Sequence, residues 1–238
     1  MHKAALRELL ATKLGLDAEV LGPSFLDSLA QWCREQRPAG GVGQFVKEAQ
    51  EGGEAWLQLV EHVVVSETWF FRDSDPFDYI VETVRGRWTN APMTPVRILS
   101  CPCSTGEEAY SVAIALIRAG LPQDAFLVDA ADISQRAILS ARAGLYRTRS
   151  FRNNNNKFID RGRDFEHDRE SNTWRIKPEY KRMVRFHVAN MVTREGLEHA
   201  QGYDIVLCRN LLIYLHEQAR RSVMASIVHL LRKDGILI

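Results

Sequence analysis

The stretch Arg97 to Tyr110, RILSCPCSTGEEAY, constrains this chain more than any other. Val96, Ile98 and Leu99 form a short apolar run that breaks into a small-residue turn, after which Glu107 and Glu108 open a segment with helical spacing. A buried strand feeding a Ser-Thr-Gly turn and then a helix is how an open parallel α/β sheet begins, and the turn brings the backbone N–H groups around Ser104 and Gly106 close to a ligand. Two carboxylates stand where a phosphate-binding turn needs neutral or basic groups, which disfavours a dinucleotide pyrophosphate. A cationic cofactor fits better, and S-adenosylmethionine, with its sulfonium and ammonium groups, is the candidate.

From Val96 onward strand and helix patterns alternate. Strands are expected at Val96–Ser100, Ala125–Ala130, Val184–Val188, Tyr203–Cys208 and Ile236–Ile238, and helices at Glu107–Ala119, Gln135–Ala143 and Glu217–Leu231, with Gly144 as a helix stop. The alternation is interrupted over 151–183, where Trp174 and Ile176 sit in an alternating pattern that predicts a small inserted antiparallel β subdomain. Asn153–Asn156 reads as a loop. Ahead of the sheet, Leu6, Leu9, Leu10 and Leu14 make one helical stripe and Phe25, Leu26, Leu29 and Trp32 another, with breaks at Gly15 and Gly22-Pro23 and a loop at Pro38–Gly43. The expected organisation is a helical N-terminal domain and linker over 1–72, followed over 73–238 by a Rossmann-like cofactor-binding domain. An apolar core strand at Ile236–Ile238 makes an unpaired sheet edge, so the sequence is expected to be a piece of a longer protein.

A formal net charge of +1 gives no general attraction to nucleic acid or anionic membrane. Cys101 and Cys103 form neither a CxxC redox pair nor half of a usual zinc site, and no matching Cys/His pair follows, so reduced thiols and no metal are expected. No apolar run reaches the roughly 20 residues of a membrane span and no signal-peptide pattern opens the chain; the expected location is the cytoplasm.

Three further constellations carry possible chemistry. Asp132 follows the second strand near the spacing at which an acidic residue receives ribose hydroxyls; its other reading is a cap for the helix starting near Ser134. In Ser66 to Arg72, SETWFFR, a helical conformation puts Thr68 and Arg72 on one face. The aromatic run between them is as readily core, and Arg72 has Asp73 and Asp75 as alternative partners. Cys208 to Tyr214, CRNLLIY, leaves the carboxyl end of a strand, which places Arg209, Asn210 and Tyr214 at the ligand side of an open sheet; the other reading has Asn210 capping and Tyr214 packing. Asn190 occupies the same end of its own strand, where an adenine would lie.

Taken together and in order, SETWFFRD, CSTGEEAYS, ADIS followed by ARAGLY, RFHVANM and DIVLCRNLLIYL resemble the CheR-type chemotaxis receptor glutamate methyltransferases over nearly the whole chain. The resemblance implies that Thr68, Arg72, Glu107, Asp132, Asn190, Met191, Arg209 and Asn210 line the S-adenosylmethionine site, and that Arg72 and Tyr214 lie next to the methyl group and the incoming carboxylate. Ser66 stands where the family commonly has Asn, a shorter cofactor contact, and Pro102 replaces a small residue. The implied activity is methyl esterification of receptor glutamate side chains with release of S-adenosylhomocysteine, the partner being the cytoplasmic domain of a chemoreceptor and the membrane being met only through it. Trp69–Phe71 is then expected to keep the pocket dry. The acidic receptor surface is expected to meet Lys3, Arg7, Lys13, Arg34, Arg37 and Lys47 of the N-terminal domain; strand addition of a receptor tail to the inserted subdomain stays open, and a tail is not expected to be required. Two other readings stay open: a non-catalytic adaptor that binds S-adenosylmethionine and receptors, and a methyltransferase acting on nucleic acid or a small molecule. The second has only a faint Asn-Pro-Pro-Tyr likeness at Asn210–Tyr214, without the prolines.

Overall fold

A computed structural model describes residues 2–22, 24–91, 93–152 and 159–238. Pro23 of the expected Gly22-Pro23 break and the Asn153–Asn156 tract lie outside the described residues. The chain divides into two compact units, one holding Met1–Val64, Asn190–Glu198 and Asn210–Val228, the other Val65–Ala189, His199–Arg209 and His229–Ile238.

The first unit opens with four helices, α1 (His2–Leu14), α2 (Phe25–Gln36), α3 (Gly41–Glu51) and α4 (Gly53–Val63). Leu6, Leu9, Leu10 and Leu14 bury one face of α1, as their spacing predicts. On α2 the buried residues are Leu29, Ala30 and Cys33; of the expected stripe Phe25, Leu26 and Trp32 are only half-buried. The Trp32 indole lies flat on the exposed His62 ring, with ring centroids 4.1 Å apart. Helix α3 begins at Gly41, inside the stretch expected to be loop, because Val42, Phe45, Val46 and Ala49 supply an apolar stripe.

The second unit follows with α5 (Asp75–Asn90), β1 (Val96–Ser100), α6 (Glu107–Arg118), β2 (Phe126–Asp132), α7 (Gln135–Ala143), β3 (Leu145–Tyr146), α8 (Arg161–Asp164), β4 (Phe165–Asp168), β5 (Thr173–Ile176), α9 (Pro178–Lys181), β6 (Val184–Val188) and β7 (Tyr203–Leu207). Helix α10 (Glu217–Leu230) belongs to the first unit through Val228, and β8 (Leu231–Leu237) to the second. In the first unit α10 buries Ala219, Val223 and Ile227. Gly15, at φ +67, brings α1 so close to α10 that a Cβ there would meet the Ala219 Cβ at 2.4 Å.

The central sheet is parallel with strand order β6-β2-β1-β7-β8. β1 pairs with β2 from Val96↔Phe126 to Ser100↔Ala130, and with β7 through Ile98↔Ile205. Strand order therefore reverses between β1 and β7, and the carboxyl ends on either side of that crevice are where open sheets bind ligands. β8 begins five residues ahead of the expected strand, and a register irregularity separates Tyr203↔Leu231 from Ile205↔Ile236. The antiparallel excursion is the sheet β3-β5-β4, which takes Leu145–Tyr146 from ahead of the stretch in which it was expected. Under both sheets lies an aromatic core of Phe70, Phe71, Phe77, Tyr110, Phe126, Phe151 and Phe165. Among the described residues no helix is long and apolar enough to cross a membrane.

Candidate cofactor site

The turn after β1 is held from both sides. The Cys101 N–H donates to Leu207 O at 2.9 Å and the Cys103 N–H to Ala131 O at 2.8 Å, so β7 and β2 fix its path. Ser104 (φ +49) and Gly106 (φ +92) are in the left-handed region. A Cβ on Gly106 would stand 2.8 Å from the Ala141 Cβ and 3.1 Å from the Phe186 ring, so this position takes glycine alone. Cys101 and Cys103 are free thiols, and burial pushes both well above the ordinary range, with neighbouring carboxylates adding to it.

Three carboxylates surround this turn. Asp132, the last residue of β2, is 3% exposed; its Oδ2 accepts from the Ser104 N–H at 2.8 Å and its Oδ1 from the Ser134 N–H at 2.9 Å. The cap of α7 is Ser134, whose Oγ accepts from the Ala137 N–H at 2.9 Å; Asp132 instead ties the first strand's turn to the second strand's end. Glu107 is buried at the start of α6, accepting from Thr105 Oγ1 at 2.6 Å and Ser150 Oγ at 2.9 Å. Burial raises its pKa, and those hydrogen bonds only partly oppose the rise. Glu108 accepts from Ser100 Oγ at 2.7 Å and from Arg209 at 2.9 Å.

Ser66 to Arg72 is not helical, so Thr68 and Arg72 do not share a helical face; Ser66 is exposed and Thr68 half-buried. The segment is irregular because its backbone bonds outward: the Phe70 N–H donates to Ser150 O and the Phe71 N–H to Ser111 Oγ, both at 2.9 Å. Phe70 and Phe71 are 1% and 0% exposed and belong to the core, so they wall no pocket; Trp69 alone of the run is half-exposed. The Arg72 guanidinium lies 4.4 Å from the Trp69 ring centroid and donates to Glu67 O at 3.1 Å, with Asp73 3.9 Å away. Arg209 donates to Glu108, to Arg72 O and to Asp73 Oδ2, each at 2.9 Å, joining the turn to the segment that carries Arg72.

The second unit thus brings together Arg72, Ser104, Gly106, Glu107, Asp132 and Arg209. Asn190, Met191, Asn210 and Tyr214 belong to the first unit. There Asn190 is 6% exposed, its Nδ2 donating to Lys13 O and its Oδ1 accepting from the Val192 N–H, both at 2.9 Å. Met191 is buried, and Asn210 is exposed at φ +61. Tyr214 closes a short 3-10 turn and its carbonyl accepts from the Asp17 N–H at 2.9 Å.

The residues present suit the cofactor expected from the sequence. Ser104 Oγ is buried without a hydrogen-bond partner among the described residues, two positions before a glycine that lets the turn pack against Ala141 and Phe186. The charges around it are carboxylates, and Arg209 is engaged by Glu108 and Asp73. Such a donor and charge set accommodates a cation that carries hydroxyl groups and repels a pyrophosphate. Residues 66–238 match the family model described as CheR methyltransferase, SAM binding domain. The chain belongs to the CheR methyltransferase family.

S-adenosylmethionine is accordingly the cofactor of this CheR domain. The chain is 35% identical to the probable biofilm formation methyltransferase WspC of Pseudomonas aeruginosa, over 96% of this chain and 54% of that protein. It is 34% identical to the protein of the same name from Pseudomonas putida, over 100% and 55%. Chemotaxis protein methyltransferase 2 of Vibrio cholerae is 29% identical over 79% of this chain and 65% of that protein. The chain spans about half the length of the first two relatives.

Sequence reasoning missed Thr105, Ser111 and Ser150, which hold the buried Glu107 and the Phe71 backbone. Ser111 lies one helical turn beyond Glu107, a spacing that flags it; no local pattern flags Ser150.

Proposed function

We propose that this chain methylates glutamate side chains of a chemoreceptor-like signalling protein at the expense of S-adenosylmethionine, forming glutamyl methyl esters. The observation that carries the reading is the carboxylate-rimmed turn at Ser104–Glu107, with its unpartnered Ser104 Oγ, within a CheR domain. In this reading residues 1–72 form a receptor-facing helical domain and 73–238 the catalytic domain with its inserted β subdomain. Ser66, Thr68, Arg72, Ser104, Gly106, Glu107, Asp132, Asn190, Met191, Arg209 and Asn210 hold the cofactor, whose chemistry is an electrophilic sulfonium methyl.

A glutamate carboxyl with an ordinary pKa of about 4.3 is already ionised near neutral pH, so no residue has to act as base. The work left to the chain is to align the nucleophile and exclude water. Arg72 suits the first task because a guanidinium grips a carboxylate through paired N–H groups without taking a proton. Tyr214 shares that task with a single hydroxyl. The buried, hydrogen-bonded Glu107 fixes the turn without offering itself as a competing nucleophile. The partner is the receptor's cytoplasmic domain, the compartment the cytoplasm, and neither nucleic acid nor direct membrane binding is required.

The test is transfer of labelled methyl from S-adenosylmethionine to a purified chemoreceptor cytoplasmic fragment, scored as methanol released by alkali, with cofactor binding followed by calorimetry. Alkali-labile label supports the reading. Cofactor binding with no transfer to any receptor fragment replaces it with the non-catalytic adaptor.

A further inference from the structure

Trp69 lies between the two buried phenylalanines and Arg72, yet it is the one aromatic of its run left out of the core. Two guanidiniums address its ring: Arg72 at 4.4 Å and Arg152 at 5.1 Å from the centroid. Arg152 also holds the Glu67 carboxylate at 2.6 Å, while the Glu67 carbonyl takes the Arg72 N–H at 3.1 Å. The carboxylate nearest in sequence to Arg72 on its N-terminal side is thereby occupied by a different arginine. An indole face is attractive to a guanidinium but forms no directed bond with its N–H edge, so stacking fixes the plane of Arg72; of that edge Nη1 meets the Glu67 carbonyl, Asp73 stands 3.9 Å from Nε while Arg209 holds that carboxylate at 2.9 Å, and the rest faces an incoming carboxylate.

We propose that Trp69 is the positioning residue that seats Arg72 for the acceptor carboxylate, and that Arg152 keeps Glu67 from occupying Arg72 in the acceptor's place. This rests on the reading that Arg72 meets the acceptor. Glu67 is then a tethered competitor: a carboxylate on the same loop has a high effective concentration at Arg72 unless another cation retains it. The lowered pKa of Glu67, caused first by its hydrogen bond to Arg152 and then by charge, agrees with that pairing.

The test uses the 238-residue chain with a chemoreceptor cytoplasmic fragment as the varied substrate and saturating S-adenosylmethionine. Arg152→Gln raises KM for the fragment several-fold with kcat little changed, and Arg152→Gln with Glu67→Gln returns KM to near the wild-type value. Trp69→Leu lowers kcat/KM on the order of tenfold, the size of one stacked cation–π contact, whereas Trp69→Phe keeps most of it. The seat itself is read without turnover from the Arg72 Nε–H resonance, which ring current displaces in the wild type and which returns to the free-arginine position in Trp69→Leu. A double variant no better than Arg152→Gln alone overturns the competitor role. An Arg72 resonance unmoved by Trp69→Leu overturns the seat. If the wild type binds cofactor yet methylates no receptor fragment, the acceptor role of Arg72 and with it this proposal fall, even where the resonance shows the stack intact.

Discussion

Replacing Gly106 with alanine tests whether the candidate cofactor turn is held as tightly as its geometry implies. At φ +92 an L-residue is strained by about 1–2 kcal/mol. The new methyl would also sit 2.8 Å from the Ala141 Cβ and 3.1 Å from two Phe186 ring atoms, in a fully packed part of the core. Neither neighbour is the free end of a flexible chain, so relieving the contact moves α7 or β6, and overpacking of this kind costs roughly 1–3 kcal/mol. Gly106→Ala should therefore destabilise the chain by about 2–5 kcal/mol in urea unfolding, and weaken S-adenosylmethionine at least tenfold in calorimetry because the turn cannot stay in place. Gly86→Ala is the matched comparison: Gly86 lies inside α5 with nothing within 4 Å of an added Cβ, and should gain about 0.4–1 kcal/mol. A loss under 1 kcal/mol at Gly106 with cofactor affinity unchanged would refute the reasoning.

Other perturbations probe the charges. Asp132→Asn leaves one acceptor for the two N–H groups of Ser104 and Ser134 and sets an amide against the other, which should cost about 1–3 kcal/mol and lower cofactor affinity, both measurable on the same protein. Glu107 has a raised folded pKa, so its contribution to stability is fully present below the ordinary carboxyl pKa and is lost as pH rises through the folded value. Glu107→Gln should remove that loss, so unfolding free energies measured from pH 4 upward should decline less in the variant than in the wild type; parallel curves would count against a buried, raised carboxyl. Arg209→Gln leaves Glu108, 12% exposed, without its guanidinium and should cost roughly 3 kcal/mol in urea unfolding, with Arg209→Lys recovering only part because it lacks the fork that reaches Asp73 and the Arg72 carbonyl together.

The parallel sheet was legible because its strands are short apolar runs bounded by turn residues, and β1 and β6 end where the pattern says. The small sheet was legible only in part: Leu145–Tyr146 is too short to carry an alternation, and its pairing with Arg175 and Trp174 is a tertiary fact. Around the cofactor turn, Gly106 and Asp132 stood out because their residue types match a local geometry. The SETWFFR segment misled because Thr68 and Arg72 stand four apart, a helical spacing, whereas the Phe70 and Phe71 N–H groups are claimed by Ser150 and Ser111, far along the chain. Asn190 and Tyr214 were read from the strand ends they follow, and sequence alone does not reveal that their own hydrogen bonds run to Lys13 and Asp17.

The Ser111 hydroxyl donates to Glu107 O at 2.6 Å and accepts from the Phe71 N–H, so the loop that ends in Arg72 hangs from the same helix that begins at the candidate cofactor turn. Lengthening this loop therefore has little freedom after Trp69, where two successive amides are pinned and an added residue would drag phenylalanines out of the core. Val65 and Ser66 are exposed and follow an extended Val64, so an insertion there displaces no buried side chain. Natural variation in loop length among relatives should accumulate on that side of the tryptophan.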